Sequence, residues 1–199
     1  MNEKIIQRVN RIYAAIGATE ENDLNKLKAT VLKTDKVKAF FQDFRGELSD
    51  ADLSNCAHTL IHNIANLRSH LKQWAKQNGY DKKEVEQVFE NSLDLQIIQD
   101  LSDNDKHGYP PRNNGYSGKC PQLVNINRLM QLQTCTRNGS TIGITLDSAG
   151  VPRSFGDGTA KAIITGDVVD RDKDYIGDLQ KIASDAVQAW EQVLANFCS

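Results

Sequence analysis

The chain has 199 residues, which is enough for one domain with a substantial core. Its 24 Lys and Arg residues against 26 Asp and Glu residues give a net charge of −2, which excludes a protein that binds nucleic acid through overall positive charge. No apolar run approaches the roughly 20 residues of a bilayer-spanning helix, and the N-terminal segment lacks the apolar core of a signal peptide. We therefore expect a cytoplasmic protein with no membrane partner. The four cysteines form no Cys-x-x-Cys pair, which argues against a zinc site or a disulfide framework built on them.

The first 45 residues are predicted to be helical. Residues 2–16 place apolar side chains at steps of three and four, which is typical of an amphipathic helix, and this helix ends near Gly17. Residues 20–45 show a weaker pattern of the same kind, with a break around Thr34–Asp35. This part therefore contributes one clear helix and a second, interrupted one.

Two longer helices are predicted next. Ser49 or Asp50 can cap a helix, because their side-chain oxygens accept hydrogen bonds from its first free N–H groups, and the apolar pattern continues to about Gln77. Residues 81–105 then predict a fourth, central helix. Gly108 and the prolines after it end that helix.

The composition changes after this helix. Residues 110–121 are rich in Pro, Gly, Asn and Ser and predict a loop. Residues 123–134 and 140–146 predict two strands joined as a hairpin through Arg137-Asn138-Gly139, in which the Asn-Gly pair is the turn signal, and residues 160–169 predict a third strand.

Residues 176–197 predict an amphipathic helix that packs back on the others. The sequence therefore predicts a single mainly α (α+β) domain over residues 1–199. A bundle of four to five helices, from residues 1–109 and 176–198, would carry a small antiparallel three-stranded sheet inserted over residues 121–170.

A polar cluster stands at the end of the fourth helix. Asp100, Asn104 and His107 are four and three residues apart, so a continuous helix presents them on one face, with Lys106 beside them. The C-terminal dipole favours a charged imidazole there. Such a histidine can transfer a proton or bind phosphate. The alternative is an ordinary solvated helix end.

A second polar cluster lies on the third helix. His58, His62, Asn66 and His70 follow four-residue steps along one face. Paired histidines can hold a metal, but the His-Glu-x-x-His motif is absent, so we expect no metal site here. Amide and cationic groups suit an anion, and a polar helix face or an oligomer interface is the alternative. We expect both clusters to enclose one pocket, formed by Asn63, Asn66, Arg68, His70, Asp100, Asn104, Lys106 and His107, with His62 as a further binding residue.

The segments HNIANLRSH (62–70) and DLSDNDKHGYPP (100–111) resemble a group of uncharacterised bacterial proteins whose helices end in a D-L-[SA]-N-x-x-K-H type of signature. These proteins in turn resemble the HEPN superfamily of helical bundles, and the resemblance is most specific over residues 55–111. It implies a bundle of four or five helices, frequently dimeric, in toxin, antiphage-defence or RNA-processing settings. Active members cleave RNA without metal, using an arginine and a histidine spaced R-x(4–6)-H at the dimer cleft.

This chain departs from that motif, because Asp100, Leu101 and Ser102 occupy the positions where the arginine would precede His107. Arg68 could supply the cation from the neighbouring helix, with His107 transferring the proton. The sequence thus predicts a homodimeric HEPN-like protein that binds or acts on RNA or nucleotides, without a cofactor. The alternatives are a noncatalytic module that dimerises through helix faces and a metal-assisted hydrolase on the histidine face.

Overall fold

A computed structural model describes residues 3–27, 29–33, 38–42, 44–110 and 112–198. Five α-helices lie within these ranges. They are α1 (Glu3–Ala18), α2 (Asp50–Gln77), α3 (Lys82–Asn91), α4 (Leu93–His107) and α5 (Leu179–Cys198). None of these helices combines the length and the apolar character that crossing a bilayer requires.

Eight strands accompany the helices in the described ranges. They are β1 (Glu20–Glu21), β2 (Ala29–Lys33), β3 (Lys38–Gln42), β4 (Gln122–Gln133), β5 (Ile142–Leu146), β6 (Pro152–Gly156), β7 (Thr159–Val169) and β8 (Tyr175–Asp178). The strands form small antiparallel sheets, so the chain belongs to the mixed α+β class, as the sequence predicts.

The core is built around α2, which contacts each of the other four helices and also β4 and β7. Leu60, Ile61 and Ile64 of α2 are fully buried. Trp190 of α5 is also buried, and its indole N–H donates to the carbonyl of Ile64 at 3.3 Å. The C-terminal helix thus packs back on the other helices, as predicted.

The start of α2 is fixed by Ser49, as predicted. The Ser49 hydroxyl accepts a hydrogen bond from the backbone N–H of Asp52, and the Asp52 carboxylate accepts one from the N–H of Ser49. This reciprocal capping box satisfies two N–H groups that an open helix end would leave free. At the other end α2 stops at Gln77, also as predicted, with Asn78 as its C-cap.

The helical prediction for residues 20–45 is wrong. Its described residues include a short 3-10 helix at Leu24–Lys26 and the strands β1, β2 and β3 but no α-helix, and β2 pairs with β3 so that Val31 lies opposite Phe40. The predicted break at Thr34–Asp35 lies outside the described residues. β-Branched and aromatic residues are frequent in both strands and favour extended backbone, which outweighs an approximate helical spacing.

The single helix predicted over residues 81–105 is instead two helices, α3 and α4. Ser92 separates them, with extended backbone at φ −111° and ψ 108°. Its hydroxyl accepts a hydrogen bond from the N–H of Leu95 at 3.3 Å and so begins α4. A serine hydroxyl that bonds to nearby backbone N–H groups favours the start of a helix over a position inside one. The chain therefore begins a new helix here and does not continue the previous one.

The predicted three-stranded sheet is larger and differently connected. β7 pairs with β1 and β8 on one side and with β4 on the other, so that Gln133 lies opposite Thr159. β5 pairs with β6 and not with β4, so the predicted hairpin is wrong. Asn138–Gly139 forms only a local turn, in which the N–H of Ser140 donates to Arg137.

The last helix begins three residues later than predicted, because residues 175–178 pair with β7 as β8. One oxygen of Asp178 accepts hydrogen bonds from the N–H groups of Gln180 and Lys181, and this caps the first turn of α5. The strand and the helix therefore meet at this carboxylate.

Candidate functional site

A buried carboxylate on α4 organises the loop that follows this helix. Asp100 is 1% exposed, and it accepts hydrogen bonds from the N–H of Tyr116 (2.7 Å), the N–H of Ser117 (2.9 Å) and the Ser117 hydroxyl (2.7 Å). Gly115 packs directly on this carboxylate. These bonds satisfy a charged group that would otherwise be costly to bury. Asp100 therefore holds the loop back against α4.

A cavity of about 700 Å³ lies between α4 and this loop. Three of the sequence-predicted site residues, Asp100, Asn104 and His107, are among those that line it. They share a face because α4 is continuous from Leu93 to His107, after which Gly108 ends it. The other described residues that line it are Asp103, Gly108, Pro110, Gly115 and Tyr116.

The lining is rich in hydrogen-bond acceptors. Asn104 donates from its amide nitrogen to the carbonyl of Pro121 at 2.9 Å, while its buried Oδ1 has no hydrogen-bond partner among the described residues. One oxygen of Asp103 accepts from Gln99 at 3.0 Å. The Tyr116 side chain is among the exposed large aromatic groups, at 54%. A ligand that offers hydrogen-bond donors and a flat ring would complement these groups.

Arg68 of α2 lies behind Tyr116 and not among the residues that line the cavity. Its guanidinium carbon is 3.5 Å from the ring centroid of Phe89 and 5.1 Å from that of Tyr116. A guanidinium nitrogen donates to Glu86 at 2.5 Å, and Lys72 forms a second ion pair with this carboxylate. Burial of Glu86 acts to raise its pKa, but the hydrogen bonds from both cations outweigh burial and lower that pKa. The charge of Arg68 is thus already compensated.

His62 contacts α4 on the side away from the cavity. Its Nδ1 lies 2.8 Å from the hydroxyl of Ser102, which is fully buried, and its Nε2 lies 2.8 Å from the carboxylate of Asp105. With 3.6 residues per turn, Ser102 and Asp105 lie on a different face of α4 from Asp100 and His107. The histidine face of α2 therefore meets α4, but not at the cavity.

His70 lies farther along α2, in a separate cavity of about 360 Å³ between α1 and α2 that Arg8 and Arg11 also line. Burial lowers the pKa of His70, and the charges of Arg8 and Arg11 lower it further. This second cavity is cationic, in contrast to the acidic one on α4.

The remaining predicted residues lie at the surface or in local contacts. The Asn63 amide donates to the carbonyl of Thr59 at 2.9 Å, one turn back on α2. Asn66 and Lys106 are exposed. The structure thus brings together Asp100, Asn104 and His107 and places the other predicted residues apart from them, while their predicted roles stay predictions.

Sequence reasoning did not include Tyr116 or Ser102 in the site. Tyr116 reaches the cavity only because the loop folds back on Asp100, and no sequence pattern marks that contact. Ser102 and Asp105 are three residues apart, so they share a side of α4. That spacing was the available signal for a polar contact with α2.

No protein-family model, curated protein or solved structure matches this chain. The resemblance to HEPN proteins therefore stays a prediction based on the two segments that carry it.

Proposed function

We propose that this chain is a noncatalytic HEPN-like protein that binds RNA or nucleotides through a base placed in the cavity on α4. The observation that carries the proposal is the lining of this cavity. It combines the exposed ring of Tyr116 with acceptor groups on Asp103 and Asn104. Bases stack on aromatic side chains and present amino and imino groups that donate to such acceptors.

The electrostatics of the cavity favour a base over a phosphate group. Asp100 and Asp103 place two carboxylates in the lining, and the C-terminal end of α4 adds partial negative charge. Among the described residues that line the cavity, His107 is the one that can carry a positive charge, and it is exposed. A phosphate inside the cavity would be repelled by this negative charge.

The state of Arg68 favours binding over cleavage. In a metal-independent ribonuclease a cation must face the phosphorane as its charge develops. Arg68 is engaged with Glu86 and stacked on Phe89, and its side chain is 16% exposed. His107 therefore lacks the partner that the sequence-based ribonuclease hypothesis assigns to it.

Calorimetric titration with the four common ribonucleosides and their 5′-monophosphates tests the proposal. We expect at least one nucleoside to bind, and its monophosphate to bind more weakly. Tyr116→Leu should reduce the affinity about tenfold or more, since stacking on an aromatic ring contributes about 1–3 kcal/mol per base. Tyr175→Leu is the matched control, because the Tyr175 side chain is also exposed, at 64%, but is not among the residues that line the cavity. Absence of nucleoside binding, or equal effects of the two substitutions, would refute it.

The alternative, a protein-interaction module, is favoured by one observation on the sheet. Among the described strands only β7 pairs with β4, and Leu129 and Leu132 of β4 are 48% and 46% exposed. A strand with a free edge can pair with another chain. Sedimentation analysis of the protein and of Leu129→Lys tests this alternative, which requires a dimer that the substitution weakens.

A further inference from the structure

We propose that His58, His62 and Asp105 bind a divalent transition metal ion of the zinc class, linking α2 to α4. His58 and His62 are one turn apart on α2, and Asp105 faces them from α4. One ligand atom from each of the three side chains lies within 4.8 Å of the other two. This site is separate from the cavity that supports the proposed function.

The distances are close to those of a metal centre. Nε2 of His62 lies 2.8 Å from one oxygen of Asp105, and Nδ1 of His58 lies 3.6 Å from the other oxygen. Ligand atoms bound tetrahedrally at about 2.0–2.1 Å from zinc are about 3.3 Å apart. Both nitrogen–oxygen distances lie within about 0.5 Å of this value, and one nitrogen of each histidine lies within 4.8 Å of the other, so side-chain rotations can place all three ligands around one ion.

Ser102 orients His62 for this role. Its hydroxyl is fully buried and lies 2.8 Å from Nδ1 of His62. When the hydroxyl accepts the Nδ1–H, Nε2 is unprotonated and its lone pair faces the Asp105 carboxylate, so the two groups can bind an ion between them. Histidine ligands of metals commonly donate their second N–H to such a partner, which fixes both the tautomer and the ring orientation.

The state of His58 is the second observation that points to a ligand. Its Nδ1 is buried and has no hydrogen-bond partner among the described residues. A buried, unsatisfied nitrogen is costly, so such groups need an explanation. An ion held between His58, His62 and Asp105 would bind this nitrogen directly, whereas the Asp105 oxygen that pairs with it lies 3.6 Å away, beyond hydrogen-bond distance.

The donor set selects the type of ion. Two imidazole nitrogens and one carboxylate oxygen suit zinc and neighbouring transition ions, whereas magnesium and calcium prefer oxygen ligands. Three protein ligands also leave a coordination position for water. The Asp105 side chain is 42% exposed, so an ion can reach the site from solvent.

The test is calorimetric titration of zinc chloride into untagged, metal-stripped protein. We expect one ion per chain. His58→Ala should weaken binding at least about tenfold, and it should leave the thermal midpoint of the metal-free protein almost unchanged, because Nδ1 of His58 makes no hydrogen bond that the fold depends on. Asp105→Asn should weaken binding similarly. Ser102→Ala should keep the one-to-one stoichiometry and lower the affinity about tenfold.

His70→Ala is the matched control, because His70 lies on the same helix but in the cavity next to α1. Zinc binding should be the same in this variant as in the unmodified protein. The proposal is overturned if the unmodified protein does not bind zinc, or if His58→Ala and His70→Ala bind it equally well. Magnesium chloride, titrated in the same way, should give no comparable signal, and tight magnesium binding would contradict the assigned donor set.

Discussion

The Asp100 carboxylate lies against Gly115, so closely that a Cβ on Gly115 would be 2.5 Å from its nearest atoms. Gly115 also has a φ of +74°, where a side chain is strained. The loop that closes the cavity therefore depends on a glycine at this position.

Gly115→Ala should displace the loop and lower the free energy of unfolding by more than about 1 kcal/mol, because strain and steric overlap add. Urea unfolding measures the change. Gly118→Ala is the matched control, since Gly118 has a φ of +69° but open space at the Cβ position. Equal effects of the two substitutions would show that the contact with Asp100 is unimportant.

The unmodified protein should leave mixed RNA intact in the presence of EDTA, because Arg68 is paired with Glu86 and does not line the cavity with His107. Gel analysis of RNA after incubation is the measurement, with His107→Ala as the comparison. Cleavage that disappears in His107→Ala would contradict the binding proposal and support the ribonuclease hypothesis instead.

Glu86→Gln should destabilise the protein at neutral pH by about 1 kcal/mol, the range of partly exposed ion pairs. The pKa of Glu86 is lowered from 4.5 in the folded state, so its contribution is complete above 4.5 and is lost as the pH falls through the folded-state value. The difference in unfolding free energy between the two proteins should therefore shrink in acid. A difference that is constant with pH would exclude this ion-pair contribution.

His70 should titrate below its usual 6.5, because burial and the charges of Arg8 and Arg11 disfavour the imidazolium. NMR titration measures this pKa. Arg8→Gln should raise it toward 6.5, whereas Lys83→Gln, a remote exposed charge, should not. Because the unfolded chain binds this proton more readily, His70 should reduce stability as the pH falls below 6.5 and have no such effect above that value. An unchanged pKa in Arg8→Gln would contradict the assigned role of that charge.

Local signals predicted the elements that depend on local contacts. The capping box at Ser49 and the apolar pattern up to Gln77 fix α2, since the hydrogen bonds of a helix and its caps lie within a few residues. The same reasoning gave a wrong prediction for the region of β2 and β3. Spacing alone cannot separate an irregular helical pattern from strands that pair with each other.

The sheet and the site needed information that the sequence does not display locally. β4 pairs with β7, and β5 and β6 lie between these two strands in the sequence. The Asn138–Gly139 turn therefore could not reveal the partner of β4. The face shared by Asp100, Asn104 and His107 was predictable from helical spacing. The closing of the cavity was not, because it depends on backbone N–H groups of Tyr116 and Ser117, which every residue except proline possesses.

The position of β7 has a consequence for how the chain acquires its structure during synthesis. This strand joins β1, near the first residues, to β4 and to β8, just before the last helix. A nascent chain that ends before residue 159 therefore carries β1 and β4 without the strand between them. Such distant pairing makes folding slow and leaves unpaired strands exposed to aggregation. We expect the sheet to form only near the end of translation, and C-terminal truncations that remove β7 to yield aggregating fragments instead of smaller folded units.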